Sequence, residues 1–196
     1  MIKLGITGNI ASGKTLVESF LQEEGINVID ADKTVHNLLD NDKEIIEQVY
    51  ELFKSFGFDV RNEKGSISRK KAGEIVFKNK EILEKLENII HPNVKKEIQK
   101  FFEINQDKKI VAAVVPLLYE AGMGTMFDYI ITIIVNKDIQ VERLMKRDNL
   151  TQEEAQTRIN IQMSQEKKAK KANFVLSNNS SAEDLKYQLK EILSKI

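Results

Sequence analysis

Residues 8–15 read Gly-Asn-Ile-Ala-Ser-Gly-Lys-Thr, and this spacing of two glycines, a lysine and a hydroxyl is that of a phosphate-binding loop, G-x-x-x-x-G-K-[ST]. Gly8 and Gly13 open backbone angles closed to other residues. The N–H groups along the loop and the following turn (Gly8, Ala11, Ser12, Gly13, Lys14, Thr15 and Leu16) can then curl round phosphate oxygens. A helix starting near Gly13 would aim its positive end at the same anion. Lys14 can reach β- and γ-phosphates as a mobile charge, and the Thr15 hydroxyl is placed to hold Mg²⁺. A plain tight turn before a helix is the competing reading, but an apolar strand pattern precedes the loop and an amphipathic helix pattern follows it. The chain is expected to bind a nucleoside triphosphate.

Further along, "VIDADK" (28–33) puts Asp30 and Asp32 just past the end of a strand pattern. A carboxylate beside a phosphate loop can orient an acceptor hydroxyl and take its proton during in-line transfer. Either acid could instead be structural, and Asp32 could cap a helix beginning at 33. Arg143 and Arg147 lie four apart, on one face of a predicted helix. They could fold over a triphosphate and offset its charge, or they could pair on a solvated face with Glu142, Glu153 and Glu154. "KKAKK" (167–171) reads as a solvated helix face.

These residues need a scaffold, and the apolar pattern supplies one. Runs at 2–7, 26–30, 110–116, 129–135 and 174–176 are short, nearly continuous and rich in β-branched residues, as in parallel strands covered on both faces. Helical patterns separate them: 14–24 stopped by Gly25, and 181–195 with capping-box spacing from Ser180 to Glu183 or Ser181 to Asp184. About 80 residues separate the second strand from the third. They read as helices over 42–56, 69–90 (ending at His91-Pro92) and 93–104, with a loop at 57–68. The expected architecture is α/β: a three-layer fold with a five-stranded parallel sheet, a helical insert and a lid.

Composition narrows the function. Thirty basic residues balance thirty acidic ones, so no global field draws nucleic acid or an anionic membrane. There is no cysteine, and there are only two histidines, which leaves little for a thiolate or histidine metal site. The apolar runs are too short to span a bilayer, and "MIKLGITG" carries no cleavable signal; a cytoplasmic location is expected. A regulatory GTPase is disfavoured: at 136–139, "NKDI" lacks the final acid of N-K-x-D, and there is no D-x-x-G. A motor or helicase would need a larger chain and usually a strand ending in Asp, whereas the strand at 110–115 runs into Pro116. A small-molecule kinase remains, against a nucleotide-sensing module that would need neither Asp32 nor a lid arginine.

The ordered set "GITGNIASGKT", "VIDADK", "ISRKKAGEIVF", "LENIIHPNV", "VPLLYEAG", "VERLMKRDNLTQEEAQTRINIQ" and "KKANFVLSNN" resembles the dephospho-coenzyme A kinase family over nearly the whole length. The resemblance implies a P-loop NTPase-type kinase core at 1–33, 107–142 and 170–196, a helical CoA-binding insert at 34–106 and a lid at 143–169. It implies ATP as donor with Mg²⁺, and dephospho-CoA as acceptor, with no obligate protein partner. By the same resemblance Asp32 would act on the 3′-hydroxyl, Thr7 would be an active-site threonine and Arg143 the lid arginine. Arg69, His91 and the "PLLYE" stretch with Leu117 and Glu120 would face CoA, and Asn178 would lie near the adenine. A structural cap is the alternative for His91. Two departures stand out. Ala11 replaces a common glycine, requiring an ordinary backbone there or a small strain, and Tyr119 replaces a common Phe.

Overall fold

Strand β1 (Ile2–Gly8) runs through the middle of a five-stranded sheet in the computed structural model, which describes residues 1–196. Every pairing is parallel, in the order β2-β3-β1-β4-β5, with β2 at Asn27–Asp30, β3 at Ile110–Val114, β4 at Tyr129–Ile134 and β5 at Phe174–Ser177. The alternation of side chains along β1 sorts its residues to two faces. Leu4 and Ile6 join Ala112, Val114, Ile131 and Ile133 in an apolar cluster. Helix α1 (Lys14–Glu23) closes it with Val17, Phe20 and Leu21. The C-terminal helix (Ala182–Leu193) adds Leu185, Leu189 and Ile192. Each such side chain contributes roughly 1.5–3 kcal/mol by leaving water.

Gly5 and Thr7 take the other face. A Cβ on Gly5 would stand 2.9 Å from the Phe127 ring and 3.0 Å from Leu118, so only glycine lets that ring lie on the strand. Thr7 pairs in register with Thr132, and both are fully buried. The connection after β1 leads toward β2 at one edge, while the one after β3 leads to β4 on the far side of β1. The C-terminal ends of β1 and β3 therefore bound the crevice where open parallel sheets bind ligands.

Two compact units make up the chain: Met1–Asp30 with Phe101–Ile196, and Ala31–Lys100. The second is helical, and it corrects three sequence expectations. Helix α2 (Ala31–Asn41) starts directly after β2, so Asp32 lies inside its first turn and does not cap a helix at 33. Helix α3 (Lys43–Ser55) matches the 42–56 pattern, with Asp42 capping it through the N–H groups of Glu44 and Ile45. The 69–90 pattern is two helices, α4 (Arg69–Val76) and α5, because Asn79 accepts the Ile82 N–H and starts a new one.

The third correction concerns the break at His91-Pro92, which does not occur: α5 runs unbroken over Lys80–Ile104. Ile82, Ile90, Val94 and Ile98 form a buried stripe passing straight through the site, whereas Pro92 is exposed. Asn93 helps by donating its side-chain amide to the Ile89 carbonyl at 2.8 Å. Burial of the stripe outweighs the roughly 3 kcal/mol cost of an interior proline. No helix is long and apolar enough to cross a membrane.

Candidate active site

The phosphate loop is shaped by close approach. A Cβ on Gly8 would fall 2.6 Å from Ser12 Oγ and 2.7 Å from the Ile133 carbonyl. At Gly13, where φ is 103°, it would fall 2.1 Å from Asn178 Nδ2. Ala11 has φ 60°, so the small strain left open by the sequence is real: a left-handed alanine. The loop also sorts its amides. Ile10 N–H donates to Gln162 Oε1 at 2.7 Å, and Ser12 N–H to the Asn9 carbonyl at 3.1 Å. The N–H groups of Ala11, Gly13 and Thr15 go to no protein acceptor. Donors left over at a helix start, with no room for side chains, fit a polyphosphate.

Lys14 Nζ spans the loop mouth, donating to the carbonyls of Gly8 at 2.9 Å and Asn9 at 3.0 Å. Thr15 exposes its hydroxyl on the first turn of α1, open to a cation that also binds phosphate oxygens. Ser12 Oγ and Asn9 Oδ1 are buried without protein partners. Asn178 is buried and donates to the Ser12 carbonyl at 2.8 Å, bracing the loop from behind. Leu16 is half-buried against the apolar cluster of the sheet.

Helix α6 (Lys137–Asp148) docks on this loop through Gln140, which is fully buried and donates to the Ile10 carbonyl at 2.7 Å. Leu144 packs with Ala155 and Ile159 of α7 (Gln152–Asn160), and Ile10 and Ala11 lie against them. Arg143, half-buried, is one turn beyond Gln140 and is held by no hydrogen bond or ion pair. Arg147 and Arg158 are engaged with Asp148, at 2.7 and 3.1 Å. Those contacts, led by the Arg147 hydrogen bond, hold the Asp148 carboxyl below the usual carboxylate range. The two arginines of the sequence pattern therefore differ in kind.

Across the crevice, Thr7 Oγ1 donates to the Pro116 carbonyl at 3.2 Å. The same carbonyl accepts from Lys168 Nζ at 2.7 Å, which takes that one lysine out of the solvated face expected for "KKAKK". Lys168, on α8 (Gln165–Lys171), is completely buried, although its neighbours Lys167, Lys170 and Lys171 are exposed. Its ammonium also meets Glu120 Oε1 at 3.0 Å. Burial pushes its pKa down, and Glu120 pulls it part of the way back. Glu120 accepts from the Met163 N–H at 3.0 Å, and the Met163 carbonyl accepts from Asn9 Nδ2 at 3.0 Å. Polar contacts thus run from β3's end to the phosphate loop. Burial raises the pKa of Tyr119, partly offset by the Thr132 hydroxyl, and the Tyr119 hydroxyl itself is buried without a hydrogen-bond partner. Leu117 lies half-buried in the same turn.

The remaining candidates belong to the helical unit. Asp32 is exposed on the first turn of α2, two residues after β2 ends. Arg69 is exposed and opens α4 behind the Ser68 cap. His91 is half-buried within α5, where burial lowers its pKa against the pull of Glu87. Sequence reasoning missed Gln140, Gln162 and Lys168. For Gln140 the one available signal was that it is the single uncharged polar residue of a helix whose other polar residues are all charged.

A family model described as dephospho-CoA kinase matches residues 2–184. A dephospho-CoA kinase of Listeria innocua is 40% identical over 95% of this chain and 92% of its own. One from Fusobacterium nucleatum is 41% identical over 93% of this chain and 92% of its own. Among solved structures, dephospho-CoA kinase from Campylobacter jejuni superposes with a TM-score of 0.73 at 31% identity, covering 98% of this chain and 96% of that one. Shikimate kinase from Acinetobacter baumannii shares the fold, with a TM-score of 0.52 at 14% identity, over 100% of this chain and 94% of that one.

Proposed function

The chain belongs to the dephospho-CoA kinase family, and on that premise we propose how its residues divide the work. It is an ATP-dependent kinase that passes the γ-phosphoryl group of ATP to the 3′-hydroxyl of the dephospho-CoA ribose, giving CoA. In our reading the free amides of Ala11, Gly13 and Thr15 hold the triphosphate, with Gly8, Ser12 and Leu16 shaping the loop around it. Lys14 moves from its two loop carbonyls onto the β- and γ-oxygens. Arg143, bound to no carboxylate, turns to the charge that spreads over the transferring group. Asp32 orients the acceptor hydroxyl and accepts its proton. This role is supported by its place just past β2's C-terminal end, the edge where the loop also leaves β1.

Thr15 would hold Mg²⁺ together with phosphate oxygens, and that ion when bound supplies neutralisation of charge on the β- and γ-oxygens. Thr7 positions the crevice wall through the Pro116 carbonyl, and Leu117 and Glu120 belong to that wall. Arg69 and His91 are assigned to the CoA side of the helical insert, 34–106, with 143–169 as the lid. Asn178 braces the loop under the nucleotide. A cytoplasmic location completes the proposal, because ATP is the donor.

The observation that carries this reading is the sorted loop: the amides of Ala11, Gly13 and Thr15 unclaimed, those of Ile10, Ser12 and Leu16 committed, beside one uncommitted arginine. The test is Asp32→Asn assayed for acceptor-dependent ADP release. We expect kcat to fall about 10²–10⁴-fold while the KM for ATP stays within about threefold. Full turnover in that variant would remove Asp32 from the chemistry. Activity with nucleoside monophosphates and none with dephospho-CoA would overturn the acceptor assignment.

A further inference from the structure

Ala11 holds a left-handed backbone that glycine adopts without steric cost, and the penalty for a Cβ corresponds to about a five- to thirty-fold bias against that conformer. Such strain persists only where the surroundings over-determine it. Here the preceding residue is gripped at both of its polar atoms. Gln162 Oε1 accepts the Ile10 N–H, and Gln140 Nε2 donates to the Ile10 carbonyl, each at 2.7 Å. Gln140 is fully buried, and its own carbonyl oxygen lies 3.4 Å from Gln165 Nε2. Gln165 is fixed in turn by the N–H and carbonyl of Val135, at 2.8 and 3.0 Å, just past the end of β4. Leu144, Ala155 and Ile159 press on Ile10 and Ala11 from the same side.

We propose that Gln140 and Gln162 are positioning residues that hold the strained Ile10–Ala11 turn in the geometry that receives the triphosphate, making this clamp, relayed through Gln165 from β4, a determinant of donor affinity. The proposal rests on the reading of residues 8–15 as the triphosphate cradle. Neither glutamine needs to touch the nucleotide. Without the clamp, Ala11 relaxes out of the left-handed region, the competent fraction of the loop falls, and the apparent dissociation constant rises by the inverse of that fraction. A glycine at position 11 has no such bias, so it should make the clamp largely dispensable.

The experiment compares Gln140→Met, Gln162→Met, Ala11→Gly and the two double variants Gln140→Met/Ala11→Gly and Gln162→Met/Ala11→Gly. Each is assayed for KM(ATP), KM for dephospho-CoA and kcat. Gln140→Met should raise KM(ATP) about tenfold, with kcat and the acceptor KM changed less than about threefold, and Ala11→Gly should recover at least about threefold of that rise. Gln162→Met should show the same pattern at smaller size, and it decides the matter should Gln140→Met fail to fold, its amide lying outside the buried core. An unchanged KM(ATP), or a rise that Ala11→Gly leaves untouched, overturns the clamp. Lys14→Ala separates the two levels. If it keeps normal ATP affinity, the cradle reading itself is wrong; if it loses ATP while the glycine rescue fails, only the clamp is wrong.

Discussion

Lys168 is the costliest single residue in the crevice, because a fully buried ammonium gives up its hydration for one carbonyl and one carboxylate. Its charge holds the Pro116 carbonyl that Thr7 shares, and it anchors Glu120, which holds Met163. Replacing it by methionine should cost roughly 1–3 kcal/mol, less than for a pair buried on both sides, since Glu120 keeps part of its solvent contact. The pH dependence carries a signature. The folded pKa lies below the ordinary 10.5, so between the two values the unfolded chain holds a proton that the folded chain has released. This residue therefore makes stability rise with pH across that window. Denaturant titrations of the protein and of Lys168→Met should diverge there, the variant showing the flatter alkaline limb. Parallel curves would mean that the ammonium is solvated after all.

At the scale of elements, α6 offers an internal control, with two arginines four residues apart. Arg143→Ala should lower kcat about 10²–10³-fold, whereas Arg147→Ala, whose guanidinium is engaged with its neighbour Asp148, should stay within about threefold of the parent. Equal losses would mean that the free guanidinium is not special. Helix α5 makes a different prediction. Pro92 is exposed and takes one hydrogen bond out of a 25-residue helix whose buried stripe continues past it. Pro92→Ala should stabilise the protein by about 1–2 kcal/mol, read as a higher urea midpoint at unchanged m-value. A lower midpoint would show that the stripe needs the bend that proline imposes.

Across the whole molecule, what could be read from the sequence depended on how far apart the interacting residues lie. The sheet was legible because each strand is a continuous apolar run, and the loop because its glycines answer to local backbone needs at Gly8 and Gly13. Lys168 was not, since its burial is set by the Pro116 carbonyl 52 residues away and its backbone is tied to Thr132 at a separation of 36. Gln140 and Gln162 escaped for the same reason, reaching Ile10 over separations of 130 and 152 residues. The proline in α5 misled because local propensity lost to a long buried stripe. The most direct test of the phosphoryl-transfer assignment is mass spectrometry of dephospho-CoA incubated with the protein, ATP and magnesium. The expected product carries one added phosphoryl group on the ribose 3′-oxygen, with one ADP formed per group. ADP released in the same amount with and without the acceptor, and dephospho-CoA recovered unchanged, would contradict it.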